Sequence, residues 1–149
     1  MKRGAEISGD EISRSVLAKM SEYEGRSVLE QYAIFMGKAQ ILELGLKAVL
    51  SRRFEIPLES MERWTLGITK NELRNSGVRL DFIAFLERVV DYRNNMAHEF
   101  LANGVITLSL GNFSDRILCG DLHKGLYELE QLLVLYDWCE ENDGWMPQA

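Results

Sequence analysis

Three times in its first half, the chain places a Ser or Thr three residues before a Glu at the head of a run with helical spacing. The pairs are Ser8 with Glu11, Ser27 with Glu30, and Thr69 with Glu72. A hydroxyl in that position accepts a helix amide that has no partner of its own, and the Glu can reach back to complete a capping box. Only two prolines interrupt the 149 residues, so little forces these helices to stop early. The caps predict a first helix from Ser8 to about Tyr23, a long second helix from Ser27 to about Arg53, and a short one from Thr69 to Gly77. Pro57 suits the first turn of another short helix, running through Trp64.

In the second helix, apolar residues between Val28 and Leu50 cover more than one face, which marks it as the central helix. Gly37 and Gly45 fall on nearly the same side of it and predict a close helix approach there. From Arg79 onward, Phe82, Phe85, Leu86, Val89, Tyr92, Arg93, Met96 and Phe100 keep the spacing of one buried face. Arg93 therefore interrupts an inward stripe. After Asn103-Gly104 the period changes to two, and residues 105–118 read as a small β-hairpin or a structured loop. Asp121 can cap the last helix, whose Leu122, Leu126, Leu129, Leu133 and Tyr136 form one stripe, extended by Leu132, Leu135 and Trp138. Trp64 and Trp138 read as packing residues. The expected fold is all-α: an antiparallel bundle of four principal helices with short flanking helices, in one domain over 1–149 whose first eight residues are loose.

Charge and chemistry narrow the function. Glu30, Lys38, Glu43 and Lys47 break the longest apolar segment, so no membrane span is expected, and the first ten residues lack a hydrophobic export core. The expected location is cytoplasmic. Cys119 and Cys139 are isolated, which supports neither a disulfide framework nor a metal site, and Cys139 is expected to face the core. The net charge of −6 argues against a protein that coats nucleic acid. Residues 1–100 carry 15 basic and 15 acidic side chains, and residues 101–149 carry 2 against 8. Any RNA should meet the neutral first two thirds, in a local basic cleft.

The chain has two histidines. One of them, His98, stands five positions after Arg93. An arginine is a permanent forked cation for phosphate, and histidine exchanges protons near neutral pH, so the two together suit metal-free RNA cleavage. That spacing alone arises in roughly one chain in seven of this composition, so the surrounding residues have to carry the case. The plainer reading is that Arg93 snorkels or pairs with Glu30 or Glu43, while His98 favours the negative end of its helix. Against it, Asn94 lies four before His98, on the same face, where its amide can orient the imidazole or hold a phosphate oxygen. Arg93 and His98 are about 140° apart around a regular helix and ~7.5 Å apart along it, so they would meet more readily across a two-fold axis than within one helix. Arg88, Arg52 and Arg53 are candidates to line an RNA path, with ordinary helix-end or solvated roles open for each. His123, between Asp121 and Lys124, reads as an ordinary exposed side chain.

The run Arg93-Asn94-x-x-x-His98, expected near the end of a helix in an all-helical chain of this length, resembles the HEPN (higher eukaryotes and prokaryotes nucleotide-binding) superfamily. Its ribonuclease members share Arg, a polar residue, a short spacer and His. The resemblance implies a helical bundle that dimerises with the motifs facing each other, and endoribonuclease activity without metal or cofactor. Arg93, Asn94 and His98 would then be the catalytic residues. It implies RNA, a second copy, and an antitoxin or regulatory protein as partners, in toxin or phage-defence roles. The alternative within the resemblance is a non-catalytic module that binds RNA, a nucleotide or a protein. The branch controlled by adenylylation carries a Tyr two residues after the His; here Glu99 is followed by Phe100, which has no hydroxyl to modify.

Overall fold

The computed structural model describes residues 6–107 and 116–147, apart from the side chains of 99–107 and 116–121. Four principal helices form the bundle: α1 (Gly9–Ser21), α2 (Val28–Phe54), α4 (Leu80–Thr107) and α5 (Arg116–Asn142). A 3₁₀ turn (Leu58–Met61) and the short α3 (Leu66–Asn75) connect α2 to α4. Among the described residues there is no strand and no helix long and apolar enough to cross a membrane.

Two of the three expected caps form. The Ser8 hydroxyl accepts Glu11 N–H at 3.2 Å. The Ser27 hydroxyl accepts Glu30 N–H at 3.1 Å and donates to the Glu30 carboxylate at 3.1 Å. The third moves. Thr65 caps α3 by accepting Ile68 N–H at 3.2 Å, whereas Thr69 is buried and donates back to Thr65 O at 2.8 Å. The helix before it, expected through Trp64, is a single 3₁₀ turn with Pro57 at its head. Gly77, at φ +87°, ends α3 as its position suggested, and Val78 N–H closes on Leu73 O at 3.1 Å.

Helix also takes both ends of the expected hairpin. Residues 105–107 finish α4 and 116–118 open α5, so the last helix starts ahead of Asp121. Positions 108–115 lie outside the described residues. A long helix gains one backbone hydrogen bond per added residue, while Val, Ile and Thr lose only about 0.7 kcal/mol or less each in helix propensity. Period-two spacing over so few residues is therefore overruled.

The central helix is α5, not α2. It packs on α1, α2 and α4, and Leu122, Leu126, Leu129, Leu132, Leu135 and Cys139 are all buried. Each such side chain contributes on the order of 1.5–3 kcal/mol through burial. Helix α2 packs on α5, α3 and α4 but leaves Leu29, Ile41 and Leu44 exposed. Its two glycines also differ. A Cβ at Gly45 would stand 2.7 Å from the Tyr136 hydroxyl, which is the expected close approach, whereas one at Gly37 would meet nothing within 4 Å.

Beyond α5, Trp145 turns back into the core. Its ring lies edge-on to Phe82 (4.9 Å, 77°) and Tyr136 (5.3 Å, 73°), and its indole N–H donates to Glu140 at 2.9 Å. Its carbonyl accepts Arg79 N–H at 2.9 Å, which ties this segment to the start of α4.

Candidate functional site

Helix α4 carries the candidate residues, and its packing dictates which way each one faces. Met96 is fully buried and anchors this stretch against α5 and α2. Opposite it stands Gly125, where a Cβ would come within 2.9 Å of Met96 Cε, 3.3 Å of Phe35 Cε2 and 3.5 Å of Tyr92 Cβ. The missing side chain lets α5 close on α4 directly beneath the motif. With Met96 pointing inward, Asn94, Asn95 and His98 are exposed, and Arg93 is half-buried. The helix continues from His98 to Thr107, so the motif lies in mid-helix rather than near the helix end, and no helix C-terminus acts on His98.

Arg93 faces the seam between α4 and α2. It lies within electrostatic reach of the half-buried Tyr32: burial pushes the phenol above its ordinary value, and the Arg93 charge partly offsets that rise. Neither acid suggested as a partner takes Arg93. Glu30 bonds Ser27 and Arg26, and Glu43 bonds Lys47 at 3.2 Å and Gln40 at 3.4 Å. Among the described residues, no carboxylate forms an ion pair with Arg93. Within one chain, then, Asn94 and His98 share a face, while Arg93 lies about 100° to one side of Asn94 and 140° from His98.

Beside the motif, Arg88, Asp91, Tyr92, Asn95 and Glu128 line an open cleft of about 440 Å³. Glu128 Oε2 is buried there without a hydrogen bond, and Arg88 Nη1 stands 3.8 Å from it. Arg88 thus borders the site. Arg52 and Arg53 do not: they lie at the other end of α2, 20 and 21 residues from Tyr32, or ~30 Å along the helix axis. They pair with Glu140 at 2.6 Å and with Asp143, respectively. These contacts change the meaning of the charge census. Helix α5 packs through the middle of the bundle, so Glu128, Glu130 and Glu140, with Asp143 just beyond it, reach Arg88, Lys38, Arg52 and Arg53.

Spacing along α4 pointed to the motif and did not disclose its surroundings. Tyr32, Glu128 and Gly125 reach it from other helices, with no signal in a single sequence. Asp91 had one: it lies seven residues before His98, on the same helix face. His123 is exposed on α5. Comparison with protein-family models, with curated protein sequences and with solved structures finds no match.

Proposed function

We propose that this chain is a HEPN-like, metal-independent endoribonuclease whose site is completed by a second copy, serving as a toxin or phage-defence effector. One observation carries the reading. On α4, the exposed Asn94 and His98 stand beside a half-buried Arg93 that has no acidic partner among the described residues. Its fixed charge lies beside Tyr32, and the two acids that its position suggested as partners, Glu30 and Glu43, are engaged elsewhere.

In this mechanism a ribose 2′-oxygen attacks the adjacent phosphorus and displaces the 5′-oxygen. His98 takes the 2′-hydroxyl proton, and Asn94 holds the imidazole or a phosphate oxygen. Arg93 of the other copy stabilises the charge that grows on the equatorial phosphate oxygens. The departing oxygen takes a proton from the second His98 or from solvent. The products are a 2′,3′-cyclic phosphate and a 5′-hydroxyl. In this reading Arg88, at the neighbouring cleft, holds the flanking phosphate. The decisive experiment incubates purified protein with RNA in EDTA: wild type should cleave, and His98→Ala should lose at least a hundredfold in rate.

The divergence of Arg93 and His98 around a single helix favours a second reading, a non-catalytic module that binds RNA, a nucleotide or a protein. RNA binding without cleavage, lost in Arg93→Ala and kept in His98→Ala, would establish it.

A further inference from the structure

The face of α2 turned away from the bundle is apolar and uncovered. Ala33, Gly37, Ile41, Leu44 and Ala48 are all exposed, Ile41 at 70% and Leu44 at 59%. No charged side chain stands among them, yet a charge closes the strip at each end. Glu30 and Arg52 each lie eleven residues from Ile41, ~16 Å along the axis and within about 20° of it around the helix. Both are more than half exposed, at 57% and 58%.

We propose that a second copy of this chain docks here, α2 antiparallel to α2, with the two-fold axis at Ile41. In that register each Glu30 meets the partner's Arg52, and Ile41 meets its own copy. Leu44, three residues past the axis, lies over the partner's Gly37, four residues before it, where the absent Cβ leaves room. Opposite charges at equal distances from one point make the strip its own complement, as an isologous interface requires and a foreign peptide would not. Glu30 keeps one carboxylate oxygen on the Ser27 hydroxyl and gives the other to Arg26, and Arg52 pairs with Glu140; the Arg26 and Glu140 pairs are exposed, worth little and easily exchanged. The two apolar faces of α2 are then both used, one inside the bundle and one between copies.

This interface is independent of the proposed chemistry. Tyr32, which lies beside Arg93, is nine residues before Ile41 and so on the opposite side of α2. Sedimentation velocity and light scattering on the full chain provide the test. Wild type should be at least dimeric at high micromolar concentration, and Ile41→Glu/Leu44→Glu should halve the mass while circular dichroism shows an intact helix content. Glu30→Arg and Arg52→Glu should each weaken association roughly tenfold, because every change counts twice across the axis. The double exchange should restore it, and it remains informative if the apolar variant fails to fold. A monomeric wild type, a mass unmoved by Ile41→Glu/Leu44→Glu, or a double exchange no stronger than the single ones would overturn the proposal.

Discussion

Lys38 of α2 places its ammonium 2.5 Å from Glu130 of α5, inside a triangle completed by the Tyr23 hydroxyl. Tyr23 donates to the same carboxylate and accepts from Lys38 at 2.8 Å. Glu130 is 2% exposed, so its charge depends on these two partners. The triangle joins the turn after α1 to α2 and α5.

Lys38→Met should therefore cost about 2–4 kcal/mol, because it leaves a buried carboxylate with one hydroxyl donor. The pH dependence has a definite sign. Burial pulls the Lys38 pKa down, but the bonds to Glu130 and Tyr23 outweigh it, and the folded value is raised. The Tyr23 phenol is raised as well, chiefly by burial and then by its bond to Glu130. Both contributions are complete below the unfolded values and fade as pH rises through the folded ones. The melting-temperature gap between wild type and Lys38→Met should be constant from neutral pH to about pH 10 and narrow above it.

Gly144→Ala should cost about 2 kcal/mol or more. The added Cβ would lie 2.2 Å from Trp138 Cζ3, an atom of a rigid ring stacked under the Arg79 guanidinium at 5.1 Å. Urea denaturation would measure it, and a change within experimental error would show that the C-terminal turn yields freely.

Cys139 should resist alkylation in the native protein. Burial pushes its thiol up to about 12, so almost no thiolate exists near neutral pH, and the side chain is fully enclosed. In a Cys119→Ser background, iodoacetamide should react at pH 8 only as fast as the protein unfolds. Labelling at the rate of a free thiol would mean that the end of α5 opens readily.

Helix-start chemistry was legible wherever the hydroxyl and the Glu belonged to one cap, as at Ser8 and Ser27. It misled at Thr69, because Thr65-Leu66-Gly67-Ile68 caps through a threonine with no Glu to announce it. That α5 and not α2 is the central helix is hidden in the sequence for a related reason. Apolar residues on two faces of α2 look like complete burial, although Ile41 and Leu44 face outward. Nothing local predicts that the segment after α5 folds back to set Trp145 against Phe82 and Tyr136. At the candidate site, the spacing along α4 gave the helix face of Asn94 and His98. Which residues stand opposite Arg93 depends on contacts between distant segments, which one sequence does not encode locally.

The composite site has a direct test: mix two separately inactive variants, Arg93→Ala and His98→Ala, and assay RNA cleavage in EDTA. Each mixed dimer regains one complete site, its arginine from one copy and its histidine from the other. Random exchange should therefore restore about one quarter of wild-type activity. A mixture as inactive as its components, beside an active wild type, would contradict a site shared between two copies. A wild type that leaves RNA intact would contradict the nuclease itself.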